Sequence, residues 1–318
     1  MPGWTIGLIW AGIIALLFFL VIVPVFVIPL ILYNILLVRS NKKKWTRKCS
    51  DTKDQEQIEM FAQGQKWLEN YSSRKESVHI VSEGFNLYGE YFDFGFDKAA
   101  IIIAGRSEGC TYSCYFSDPY RAAGYNVLVI DNRSHGLSDG KFNNVGFKEW
   151  PDIINWAKFL HQEKACKSIV CHGICIGSAA ALYAFTSADC PEYMNALVAD
   201  GMFSRFRDIF ENHLKKRHHA KFPTSNIVML LISIASGRNA FKDGPVNYIG
   251  KMKKPVLFIY SREDKFSPPD MGQKMYDLCQ APKKLVWFEH GVHSHVRINA
   301  PEKYDQTIIS FLKENVDE

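Results

Sequence analysis

Lys167–Phe185, KSIVCHGICIGSAAALYAF, limits the possible folds more than any other stretch of the chain. Ser168–His172 reads as a short buried strand, Gly173-Ile174-Cys175-Ile176-Gly177 as a sharp turn, and Ser178–Phe185 as a helix of small residues. A strand that turns directly into a helix pushes the middle residue of the turn outward on strained backbone. The residues two places to either side must then lack side chains that would collide. Gly173 and Gly177 meet that demand around Cys175. The pattern is a nucleophile elbow, G-x-S-x-G, with sulfur in place of the hydroxyl. The partial positive charge at the start of the following helix favours a thiolate there. Small residues also recur where a helix packs closely on a sheet, so the turn gains chemical meaning only with a histidine and a carboxylate beside it.

The first 38 residues carry no charged side chain. As one helix, the 35 residues from Trp4 would extend about 52 Å, against a hydrocarbon core of roughly 30 Å. There is no basic leader and no small-x-small cleavage site, which argues against a signal peptide. Pro24 and Pro29 either kink a single tilted span or fold it into a re-entrant hairpin, and a lone helix better satisfies its own backbone. Residues 39–48 then hold Arg39, Lys42, Lys43, Lys44, Arg47 and Lys48 with no acid, so the portion that follows is expected on the cytoplasmic side. A second basic patch, +8 over residues 202–254, accompanies this +6; with +5 for the whole chain, the remainder sums to −9. Two basic patches on an acidic body suit an anionic membrane surface, and no nucleic-acid-binding signature accompanies them.

Eight cysteines form no regular framework, and Cys110-x3-Cys114 has no matching second pair, so neither a zinc site nor a disulfide scaffold is expected. They read as free thiols in a reducing compartment. His213, His218 and His219 show no metal spacing and are expected at a surface near acidic headgroups.

Asp51–Tyr71 reads as a connecting helix and Ser77–Phe92 as an edge hairpin. Apolar strands follow at Ala99–Ala104, Asn126–Asp131, Ser168–His172, Ala196–Asp200, Val256–Tyr260 and Leu285–Phe288. Helical stretches fall between most of them, at about 113–123, 148–163, 176–187, 269–279 and 302–314. Such alternation predicts a mostly parallel sheet covered on both faces, with the chemistry at the C-terminal edge of its strands. Cys175, Asp264 and His293 each follow a strand and so fall at that edge. Asp264 could instead pair with Arg262 or Lys265 in its loop, and His290 and His295 compete with His293.

The order nucleophile, acid, histidine, the loop Asp131–Gly140 (DNRSHGLSDG), CHGICIG, SREDKFSPP and HSHVRINAPEKY together carry a resemblance. From about Ser77 to Leu312 the chain resembles the serine-aminopeptidase-like, lysophospholipase-like branch of the α/β-hydrolases, particularly membrane-anchored bacterial members. It departs from that branch in Cys175, where serine is usual, and in Ala104-Gly105-Arg106, where His-Gly is usual.

The resemblance implies an α/β-hydrolase fold with a helical cap, and a Cys175–His293–Asp264 triad with His295 as the reserve histidine. Backbone amides of Arg106 and Ile176 would form the oxyanion hole, between the elbow glycines Gly173 and Gly177 and the loop after the third strand. The Arg106 side chain either orients an anionic substrate group or points into solvent. His135 and Ser138 would shape the neighbouring loop. The organisation expected is an anchor at 1–38, a basic segment and linker helix at 39–76, and a hydrolase domain at 77–318 with its cap at about 202–254. Ile227–Ala235 would be a cap helix buried over the site. The expected activity is cleavage of an ester or thioester of an acyl-bearing, lipid-like substrate at a membrane surface, with no cofactor, metal or nucleic acid. Amide hydrolysis is disfavoured, because a thiolate is expelled again more readily than a poor amine. The alternative is an inactive hydrolase fold serving as a membrane-tethered scaffold.

Overall fold

Alternate residues of the central strands point to opposite faces, and both faces are apolar. In β3 (Lys98–Ile103), Ala99, Ile101 and Ile103 join one core cluster while Ala100 and Ile102 join another, and all five are fully buried. Covering both faces requires helices on both sides, which the crossovers supply. The computed structural model describes residues 2–40, 45–46 and 52–316.

Eight strands form one sheet in the order β1-β2-β4-β3-β5-β6-β7-β8. Besides β3 these are β1 (Lys75–Ser82), β2 (Phe85–Phe92), β4 (Asn126–Ile130), β5 (Ser168–Ile174), β6 (Met194–Asp200), β7 (Val256–Ser261) and β8 (Lys283–Phe288). β1 and β2 form the antiparallel edge hairpin, β2 pairs antiparallel with β4, and all remaining pairs are parallel.

The helices that matter here are α1 (Gly3–Leu37), α2 (Gln55–Asn70), α3 (Trp150–Gln162), α4 (Ile176–Phe185), α5 (Phe206–Lys216), α6 (Thr224–Ser236), α7 (Pro269–Leu278) and α8 (Pro301–Asn315). Residues of α3, α4 and α7 pack on one face of the sheet; those of α2 and α8 pack on the other. The expected helix at 113–123 is instead broken into short pieces, Cys110–Ser113, Cys114–Phe116 and Asp118–Ala122.

α1 is long and apolar enough to cross a membrane. It is one continuous helix through both prolines, so the hairpin alternative is not formed. A π-helical stretch, Val23–Val27, absorbs the missing donor and the ring clash of Pro24. The helix exceeds a bilayer's needs, and its last turns pack elsewhere: Tyr33 and Leu37 are buried in a cluster with Phe206 and Phe210 of α5 and Val228, Met229 and Ile232 of α6. α6 is accordingly only half-buried. Val228, Met229 and Ile232 face inward, whereas Leu230 and Ile234 are exposed, because the helix lies beside α1 rather than wholly over the site.

The chain leaving α1 is bonded to the folded body. Val38 forms a bridge with Phe142, the Asn143 N–H donates to Leu37 O at 2.9 Å, and the Arg39 N–H donates to Lys141 O at 2.8 Å. The Arg39 guanidinium is buried and donates to the carbonyls of Gly136 and Gly140 at 3.2 and 2.8 Å. Arg39 is therefore not part of a solvated basic patch. The other five basic residues of 39–48 lie outside the described residues, as does Cys49; the seven described cysteines are free thiols.

Candidate active site

Cys175 follows β5 directly and holds the N-cap position of α4 with φ 52° and ψ −107°, a strained conformation for a residue with a Cβ. The strain is held by the two glycines. A Cβ on Gly173 would lie 2.4 Å from the Ser178 backbone, and one on Gly177 would lie 2.2 Å from the carbonyl oxygen of Ile103. The strand and helix therefore approach too closely for any side chain at either position. The Cys175 N–H donates to Asp200 O at 2.9 Å, tying the elbow to the end of β6.

Of the three competing histidines, His293 is the one that meets Asp264. Its Nδ1 lies 2.6 Å from Oδ2, while Oδ1 accepts the N–H groups of Phe266 and Ser267 at 2.8 and 2.9 Å. Asp264 is buried and does not pair with Arg262, whose guanidinium lies over the Trp287 ring. His290 is exposed beside Glu263, and His295 Nδ1 meets Glu56 of α2 at 2.9 Å. Burial alone would depress the His293 imidazole, but the Asp264 carboxylate and then Cys175 outweigh it and hold its pKa well above the ordinary histidine value. The other ring nitrogen, Nε2, is buried with no hydrogen bond inside the usual geometric limits, yet Cys175 stands close enough to raise the ring's pKa both by its charge and by a hydrogen-bonding contact.

Cys175, His293, Arg106 and Ile176 all line one cavity of about 260 Å³. As the first residue of α4, Ile176 has an N–H with no intrahelical acceptor. The loop that carries Arg106 is shaped by Glu108, which the sequence reading did not select, and by His135, which it expected to shape a loop beside the site. The Gly105 N–H donates to the buried Glu108 carboxylate at 3.0 Å, and the Ser107 N–H donates to His135 Nε2 at 3.1 Å. Because His135 Nε2 accepts, its proton sits on Nδ1 and is donated to Arg133 O. Ser138 accepts from the Tyr88 N–H and donates to Asp131 O. Arg133 grips Asp152 with two hydrogen bonds of 2.9 and 2.6 Å and fixes this loop to α3.

The cavity wall is assembled from distant parts of the chain. Leu36 of α1, Asp54 and Gln57 at the start of α2, and Phe206, Ile209, Phe210, His213 and Lys216 of α5 all line it. His213 is therefore a half-buried cavity residue rather than a surface histidine, stacked on Phe266 with centroids 5.3 Å apart. No periodic signal marks such contributions, since each depends on where α5 and α1 come to rest.

No protein-family model matches the chain. It is 29% identical over 250 residues to the uncharacterized protein YqkD of Bacillus subtilis, spanning 77% of this chain and 82% of YqkD. It is 24% identical over 163 residues to the Danio rerio lysophosphatidylserine lipase ABHD12, spanning 51% of this chain and 41% of that protein. Its structure superposes on the esterase Pf2001 of Pyrococcus furiosus with a TM-score of 0.65 and 24% identity, covering 78% of this chain and 94% of the esterase. The fold is that of the α/β-hydrolases. In the α/β-hydrolase arrangement the elbow stands above the C-terminal edge of a parallel sheet, as Cys175 does here. Of the two departures from the common motif, Cys175 sits on the cavity wall, and so do Gly105 and Arg106 of the Ala104-Gly105-Arg106 stretch.

Proposed function

We propose that the protein is a membrane-anchored hydrolase that cleaves an ester or thioester of an acyl-bearing substrate through an acyl-enzyme on Cys175. The observation that carries this is the 2.6 Å contact of His293 with Asp264, on a ring whose pKa is also raised by Cys175. In this reading His293 Nε2 takes the thiol proton as Sγ attacks the acyl carbonyl and forms the C–S bond, and the oxyanion is met by the N–H groups of Arg106 and Ile176. The carbonyl re-forms as the C–O or C–S bond to the leaving group breaks, and His293 gives that group its proton. Water, deprotonated by the same imidazole, then releases the acid and restores the thiol. Asp264 holds the proton on Nδ1 throughout.

The membrane part of the proposal draws on α1 and on its contacts. Leu36, in the last turn of α1, lines the cavity, and α6, which packs beside α1, leaves Leu230 and Ile234 exposed. An acyl chain would reach Cys175 from the lipid along this side. The basic residues at 42–48 are expected to hold the domain on the cytoplasmic side.

A short-chain p-nitrophenyl ester assay on the detergent-solubilised full chain tests the hydrolase. Turnover lost in Cys175→Ala and blocked by iodoacetamide is expected. No turnover, together with an unreactive Cys175, favours an inactive membrane-tethered scaffold.

A further inference from the structure

We propose that the cavity contains an anion subsite, formed by Arg106, His213 and Lys216, that takes a phosphate or carboxylate group carried by the acyl substrate. This rests on the hydrolase reading and adds a charge to the substrate it implies. The three side chains reach the cavity from two elements, Arg106 from the loop after β3 and the other two from α5. The i, i+3 spacing puts His213 and Lys216 on one face of that helix. Phe266 stands between them and the reacting histidine. His213 stacks on its ring, the Lys216 ammonium lies 4.7 Å from its centroid, and His293 meets the same ring edge-on at 5.8 Å. The ring's negative face favours the ammonium at this place. Positive charge therefore stands one phenyl ring away from the nitrogen that would protonate the leaving group.

The His213 imidazole reports the local field. Burial first, and then the positive charges of Arg217, Arg106 and Lys216 and the neighbouring His219, push its pKa down to about 4. At neutral pH it is uncharged, with one N–H available to an anion. Two acids also line the cavity: Glu108 accepts the Gly105 N–H, and Asp54 accepts the Gln57 N–H that opens α2, while Arg106 donates to the Ser107 hydroxyl. The rest of the wall includes Leu36, Phe206, Ile209 and Phe210, all apolar. One ligand with an apolar chain and an anionic end would satisfy both halves of such a cavity.

The test uses the full chain in nanodiscs of zwitterionic lipid, so that bulk membrane charge does not concentrate anions. The ratio of kcat/KM for a monoacylglycerol phosphate to that for the monoacylglycerol of the same chain is measured in wild type, Lys216→Ala and Lys216→Glu. The ratio is expected to favour the phosphate and to fall roughly tenfold in Lys216→Ala, the scale of one charge-assisted hydrogen bond, and further in Lys216→Glu. Calorimetric titrations with hexyl phosphate and with inorganic phosphate separate an acyl-borne anion from a free one. Hexyl phosphate is expected to bind more tightly and to lose its affinity in Lys216→Glu. A ratio untouched by both variants, or equal binding of inorganic phosphate, overturns the subsite while leaving the hydrolase intact. Cleavage of neither ester, with Lys216-dependent hexyl phosphate binding retained, upholds the subsite and overturns the hydrolase.

Discussion

Asp264→Asn removes one charge at almost constant shape, and its consequences can be worked through atom by atom. The N–H groups of Phe266 and Ser267 both donate to Oδ1, so an asparagine must place its carbonyl oxygen there and turn its NH2 toward His293. His293 Nδ1 then has to accept. Its proton moves to Nε2, the nitrogen on the Cys175 side, which can no longer take the thiol proton. The imidazolium form is lost as well, because burial, unopposed by the carboxylate, pulls the pKa down. The lost charge-assisted contact is worth about 1.5–3 kcal/mol. With the wrong tautomer added, kcat/KM is expected to fall by about 10²–10⁴, or ~3–5.5 kcal/mol of transition-state stabilisation. The basic limb of the pH–rate profile should also move to lower pH, since a raised histidine pKa keeps the imidazolium present until the pH passes it. Initial rates on a p-nitrophenyl ester between pH 5 and 9 read both effects, with thermal melting as the check on folding. A variant that melts like wild type and keeps its kcat/KM within about threefold, less than 1 kcal/mol, refutes the reasoning.

Asp200, buried and hydrogen-bonded by the Tyr304 hydroxyl at 2.7 Å, has its pKa pushed up by burial to about 7 from 3.8. The folded state then binds a proton that the unfolded state has released, so this group's contribution to stability falls between about pH 4 and 7 by up to roughly 1.4 kcal/mol per pH unit. Asp200→Asn should flatten that slope in melting temperatures measured from pH 5 to 8, and an unchanged slope counts against it. Gly177→Ala forces a Cβ against the Ile103 backbone carbonyl, which has no side-chain freedom to give way, and should yield no protein with wild-type melting behaviour; a normal melt contradicts this. Arg39→Ala deprives two carbonyls of a charged donor, about 1.5–3 kcal/mol, and should lower the melting temperature by several degrees and expose residues 136–143 to protease. An unaltered digestion pattern means that α1 is not docked through this contact.

The fold was legible because its determinants are local. Strands such as Asn126–Ile130 are continuous apolar runs, and the elbow is written in two glycines whose need is set by backbone contact with Ser178 and Ile103. The histidine and acid were legible because each follows a strand at the same sheet edge. What the sequence hid are side chains whose role depends on packing at a distance. Arg39 looks like a juxtamembrane charge, yet it is buried against carbonyls about a hundred residues away. His213 sits in a run of basic residues that reads as a solvated face, but α5 turns it onto Phe266. Glu56 on the linker helix meets His295 and Asn299 through contacts that no periodicity announces.

The most direct measurement is the intact mass and peptide map of the full chain, quenched with acid during turnover of an activated acyl ester. An acyl mass addition on Cys175, absent in Cys175→Ala and greatly reduced in His293→Ala, is the result predicted. Turnover that persists in Cys175→Ala, or an acyl group found on any other residue, contradicts the account.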